Sequence, residues 1–405
     1  MSSVRYPGLN GLRLIAATAV VGTHTAFWTG SYTPDTAGHA LARLDVGVAL
    51  FFALSGFLLS QPLFRAAAEG RPAPRTAAFL WRRALRILPA YWLLVVLAMS
   101  FLPGNEDVTP GDWLRFLGLA QLYSRGWTGS GIDHAWSLCT EVAFYLVLPA
   151  LVAGLLRVSG SGWRPGRLLA GLAVLSVVGP VWIYWSAWDP LVLAPLELWL
   201  PAYLPWFAAG MAMAVLSVSA PEWGPVRRAH DLGSSLWTCW AGAGALFWIA
   251  AGPLTGPVSL DVAFTGAQGA TKVILFTAIA ALALWPLIFG DQTVGSTRRL
   301  LASRPVNWLG EISYGIFLFH MPLMQVLWNP FAHALPVVLA GTWGAAVLAA
   351  ALSYRFLERP LVQRWRTLVP DRRGSVPEPT GAGGAGHAGG ISTTTDRPTP
   401  ESLPS

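Results

Sequence analysis

The chain has 405 residues, of which 54% are hydrophobic and only 12% charged, with a mean hydropathy of +0.50 and a formal net charge of +7. A soluble domain carries about 25% charged residues, so these values exclude a water-soluble globular enzyme and predict an all-α, polytopic bundle of about ten transmembrane helices. The 21 Trp residues fit the two membrane–water interfaces, and no basic block is interleaved with exposed aromatics, which argues against nucleic acid as a partner.

The first apolar run, LNGLRLIAATAVVGTHTAFW at residues 9–28, carries Asn10, Arg13 and His24. No small-residue cleavage pattern follows it, so it is expected to remain as an uncleaved first span. An arginine in hydrocarbon costs roughly 2.5–3.5 kcal/mol even on lenient scales. Eleven residues at ~100° each come to three turns plus ~20°, which puts Arg13 and His24 on one face, ~16 Å apart, with Asn10 within ~40° of it. Ala16, Ala17 and Gly22 leave room for close packing. A snorkelling arginine and a hydrogen-bonded packing histidine form the competing explanation.

A second run covers 46–63, and the segment RAAAEGRPAPRTAAFLWRRALRILPAYW leads into a third at 86–102. Arg83 and Arg86 are spaced i, i+3 at the expected start of that helix. Arginine forks match phosphate oxygens, and a helix N-terminus favours anions. Arginines that set topology and touch anionic lipid are the alternative. The fourth run, 136–156, holds Ser137, Glu141 and Tyr145 at i, i+4 and i+8, and a buried carboxylate needs a partner. Runs at 168–187, 200–217, 234–252 and 271–289 follow with few polar residues. Cys139 and Cys239 have no metal or CxxC spacing and read as buried thiols, so no metal is expected.

The ninth run, 308–328, contains EISYGIFLFHMPL, with Ser313 and His320 close to one face; the tenth covers 335–356. His24, Glu141 and His320 are expected at comparable depth on three helices, forming one polar site. Ten spans with the N-terminus inside place all but Arg43, Arg115, Arg125 and Lys272 of the 27 basic residues in inward segments. That asymmetry predicts cytoplasmic termini. Residues 1–370 are expected to be the membrane domain. Residues 371–405, rich in Gly, Pro, Ser and Thr, are expected to form a disordered cytoplasmic tail in which His387 is silent.

Six stretches in order, LNGLRLIAATAVVGTH, VGVALFFALSGFLL, RRALRILPAYW, WSLCTEVAFYLVLP, SYGIFLFHMPL and YRFLERP, resemble acyltransferase family 3, the integral-membrane O-acyltransferases. The resemblance covers about residues 5–365. It implies transfer of an acyl group, usually acetyl, from acyl-CoA to a hydroxyl of a cell-surface carbohydrate or of a metabolite such as a macrolide, in the bacterial plasma membrane. Carried over by motif, it marks His24, Glu141, Arg13, Arg83 and Arg86. Two positions depart from the family pattern: Asn10 stands where Asp is frequent, and Ala49 where GVDLFF has its Asp.

Histidine suits the general base, because its unperturbed pKa lies near working pH. His24 is expected to be that base, with Glu141 fixing its tautomer, and His320 or Ser313 to donate to the oxyanion or position the acceptor. A covalent acyl-histidine relay remains open beside direct transfer. Arg83 and Arg86 are expected to grip CoA phosphates and Arg13 to line the pantetheine path. The rival readings are a transporter using an intramembrane His/Glu/Arg relay and a flippase or glycan-binding partner without catalysis.

Overall fold

The computed structural model describes residues 6–124, 129–187, 195–258, 264–365 and 368–369, and these contain no strand. Each of the ten expected runs overlaps a long apolar helix. These are α1 (Leu9–Trp28), α2 (Val46–Ala68), α3 (Thr76–Phe101), α4 (Trp136–Ser159), α5 (Pro165–Ser186), α6 (Leu200–Ser217), α7 (Leu236–Ala250), α8 (Gly266–Ile288), α9 (Ser313–Leu327) and α10 (Leu335–Ser353). Seven helical stretches, those holding α2 to α6, α8 and α10, are long and apolar enough to cross a membrane, as a multi-pass protein requires. The helices α7 and α9 are apolar but have 15 residues each, about 22 Å against a hydrocarbon core of about 30 Å. Arg125, His387 and the expected tail 371–405 lie outside the described residues.

Two boundaries differ from expectation, each for a physical reason. The ninth run is divided at Ile312, where a separate amphipathic helix, Arg304–Glu311, gives way to α9. The third helix begins at Thr76, ten residues earlier than its apolar run, because nothing between Thr76 and Leu85 breaks a helix. Arg83 and Arg86 therefore stand on the second turn and beyond. The field of the helix end fades within the first turn, so it does not assist them.

The helix α2 lies at the centre. It packs against α1, α4, α6 and α8, and its closest approach is to α6: a Cβ at Gly210 would sit 1.9 Å from the Ala53 carbonyl oxygen. Without a hydrophobic drive between helices in lipid, such small-residue contacts supply the packing. Phe207 stacks between Phe52 at 4.5 Å and Phe144 at 3.9 Å, joining α6 to α2 and α4. The helix α1 runs between α2 and the pair α9 and α10. Its polar stripe is thereby turned into protein. Arg43, one of the four basic residues expected to face outward, is 4% exposed and donates to Ala250, Thr255 and Gly256 carbonyls and the Thr255 hydroxyl. It clamps a loop as well as carrying charge.

Candidate active site

Three histidines from three segments meet: His24 near the C-terminal end of α1, His320 midway along α9 and His134 in the turn just before α4. His24 Nδ1 lies 2.9 Å from His320 Nε2, and the two rings stack at 5.0 Å. His320 Nδ1 is bonded to the Phe317 carbonyl. A carbonyl only accepts, so His320 carries its hydrogen on Nδ1 and presents a lone pair on Nε2; His24 must then carry its hydrogen on Nδ1. The remaining lone pair of the pair is on His24 Nε2. His320 is fully buried, whereas His24 is partly exposed, so the basic nitrogen belongs to the reachable ring.

His134 completes the cluster. Its ring is 4.9 Å from that of His320 and 6.5 Å from that of His24. Its Nε2 donates to the Leu318 carbonyl at 3.0 Å. That carbonyl is free because Pro322, four residues on within α9, has no N–H to return. Nδ1 of His134 is buried and has no partner among the described residues. With four of the six ring nitrogens committed to carbonyls or to a neighbouring ring, the rings do not converge on a metal, and no metal-ligating group was found among the described residues.

Below the histidines a cavity of about 240 Å³ runs between α1, α2, α3, α4 and α9. Arg13, Arg83, Arg86, Glu141, Tyr145 and Ser55 give it its polar wall. Glu141 accepts from the Ser55 hydroxyl, and from Tyr145 OH at 2.7 Å. Arg13 Nη1 donates to Asn10 Oδ1 at 3.4 Å, and Asn10 Nδ2 donates to Asn307 Oδ1 at 3.1 Å. Arg83 Nε is buried and unpartnered among the described residues. Among those residues no carboxylate lies within 4 Å of the guanidinium groups of Arg13, Arg83 or Arg86. Three cations and one carboxylate thus line the same cavity. The arrangement suits a ligand with several negative charges.

The expected residues therefore divide into two groups. His24 and His320 come together at one end; Arg13, Arg83, Arg86 and Glu141 line the cavity. The orienting partner expected for His24 differs: His320 occupies that place, while Glu141 is turned to Ser55 and Tyr145. The oxyanion role expected of His320 or Ser313 also changes. His320 has no N–H to spare, and Ser313 donates its hydroxyl to the Gly310 carbonyl at 2.8 Å. His134 was passed over because the stripe Ser137–Glu141–Tyr145 begins after it. The Pro322 that frees its acceptor was the available signal.

The chain is similar to known proteins over most of its length. A family model described as Acyltransferase domain matches residues 6–354. The peptidoglycan O-acetyltransferase OatA of Listeria monocytogenes is 25% identical over 396 residues, covering 88% of this chain and 55% of its own length. The putative peptidoglycan O-acetyltransferase YrhL of Bacillus subtilis is 27% identical, covering 88% of this chain and 54% of its own. Nodulation protein 10 of Rhizobium leguminosarum bv. viciae is 27% identical, covering 90% of this chain and 95% of its own. The chain spans about half the length of the first two relatives. No solved structure matches. This chain, a membrane helix bundle matched over residues 6–354 by that family model, belongs to acyltransferase family 3.

Proposed function

We propose that this chain moves an acetyl group from acetyl-CoA, held from the cytoplasmic side of a bacterial plasma membrane, to a hydroxyl of a cell-envelope carbohydrate. The observation that carries the reading is the bonded series Phe317 carbonyl–His320–His24, which leaves one lone pair on the partly exposed His24 ring, beyond the Phe317 that lines an arginine-walled cavity. His24 Nε2 takes the proton of the acceptor hydroxyl as its oxygen attacks the thioester carbon. The C–O bond forms and the C–S bond breaks. His24 then returns the proton to the thiolate, giving free CoA. His320 is a positioning residue that fixes the tautomer, as a buried carboxylate does in a serine-protease triad. Arg83, Arg86 and Arg13 bind the phosphates and the start of the pantetheine arm. Peptidoglycan, the acceptor in the names of two relatives, supports a carbohydrate hydroxyl.

The test is transfer of radiolabelled acetyl from acetyl-CoA by the protein in vesicles, with peptidoglycan fragments, other oligosaccharides and a macrolide as acceptors. Labelled oligosaccharide supports the reading. Label in the macrolide alone corrects the acceptor, and consumption of no CoA thioester with any acceptor removes it.

Replacing Arg83 and Arg86 together by Gln is expected to raise KM for acetyl-CoA about tenfold or more, since each charge-assisted bond contributes about 1.5–3 kcal/mol. The bundle should still fold, because neither side chain holds a neighbouring carboxylate. Unchanged affinity in a direct CoA-binding measurement would leave the pair as topology signals.

Orientation follows from the same reading. A cysteine replacing the exposed Asp107, between α3 and α4, should react with a membrane-impermeant maleimide in intact cells, and one replacing the exposed Ala77, at the start of α3, should not. The native Cys139 and Cys239 are buried and give little background. The reverse pattern would overturn the cytoplasmic donor site.

A further inference from the structure

The cavity stops short of the histidines: His24, His134 and His320 contribute nothing to its wall, whereas Phe51 and Phe317 do. Phe317 belongs to both spaces. Its side chain lines the cavity, and its ring lies 5.1 Å from the ring of His134 and 5.9 Å from that of His320. Phe51, across the cavity on α2, meets Phe317 edge-on at 6.2 Å. A thioester rising from the arginine end meets these two rings before it meets His24.

Resting on the acyl-transfer reading above, we infer that Phe317 and Phe51 form a sieve that sets the length of the acyl group accepted. For reaction the thioester carbon must come within about 3–3.5 Å of the attacking oxygen. The acyl tail, which leads the carbonyl on its way up the cavity, then projects toward the histidine cluster. His320 is fully buried and His134 is 3% exposed, so the cluster itself offers no slot for a chain. The room for a tail is whatever the two phenylalanine side chains yield by turning. An acetyl methyl asks little of them, whereas each further methylene must displace ring.

Donor competition tests the sieve. Protein in vesicles is assayed with acetyl-, propionyl-, butyryl- and hexanoyl-CoA, and the ratio of kcat/KM for butyryl-CoA to that for acetyl-CoA is read for each variant. The ratio cancels any loss of folded protein. Phe317→Ala opens space for the two extra methylenes of butyryl, each worth about fourfold on burial, so the ratio should rise roughly tenfold. Phe51→Leu and Phe317→Leu should give smaller rises in the same direction, and they keep the test open if the alanine variant does not fold. A ratio within twofold of wild type in the folded variants, with acetyl transfer intact, overturns the sieve and leaves the pair as packing. Failure of the underlying reading looks different: acetyl transfer would survive His24→Ala, whatever the donor ratio does.

Discussion

Alanine at position 24 is expected to lower kcat for acetyl transfer by roughly 10²–10⁴-fold, the usual cost of a lost general base, with little change in acetyl-CoA affinity. Of the arginines proposed to bind phosphate, Arg13, on the same helix, is ~16 Å away along α1. The substitution also leaves His320 Nε2 buried without a donor, a cost of about 1–3 kcal/mol, so the melting temperature should fall as well. Asn at 24 separates the two effects. Its amide N–H stands near the place of Nδ1–H and supplies His320, but it has no basic nitrogen. His24→Asn should therefore fold nearly as wild type and remain as inactive as alanine. Near wild-type transfer by either folded variant would rule out His24 as the base. An asparagine variant that binds acetyl-CoA and transfers nothing would rule out a packing role as the whole explanation.

The sequence displayed the fold more fully than it displayed the pairing within the site. Ten apolar runs are a property of composition along the chain, and hydrocarbon admits few structures that satisfy the backbone besides helices; each run overlaps a helix of the bundle. Helix ends were less legible. Arg83 and Arg86 stand at the expected start of a helix because hydropathy falls before them, yet arginine is a good helix former, and the structure carries the helix back to Thr76. At the site, helical periodicity assigned Arg13 and His24 to one stripe but said nothing of which helix faces it. Glu141 was matched to His24 on depth and charge alone. Its actual partners, Ser55 and Tyr145, are neutral hydroxyls, one of them on α2, and that pairing depends on helix rotation. Asn10 carried more information than its departure from the family pattern suggested. An amide both accepts from Arg13 and donates to Asn307, whereas a carboxylate would offer Asn307 no hydrogen.

His320→Ala should nearly match the loss at His24, roughly 10²–10⁴-fold in kcat, although His320 is fully buried and touches no reacting atom in this mechanism. The ground is tautomeric. With Nε2 of His320 gone, nothing on α9 holds the hydrogen of His24 on Nδ1, and the imidazole is free to present N–H instead of a lone pair to the acceptor hydroxyl. A serine-protease triad given the wrong tautomer loses about 10⁴ in kcat with its geometry intact. Glutamine discriminates orientation from bulk packing. Its carbonyl oxygen can accept from His24 Nδ1–H while its N–H₂ reaches toward the Phe317 carbonyl, so His320→Gln should recover a substantial part of the rate that alanine loses, at unchanged KM for acetyl-CoA. Leucine fills similar space without either bond and should not recover it. Equal activity of the glutamine and leucine variants would show that His320 acts by filling volume, and the histidine-to-histidine bond would then have no part in the chemistry.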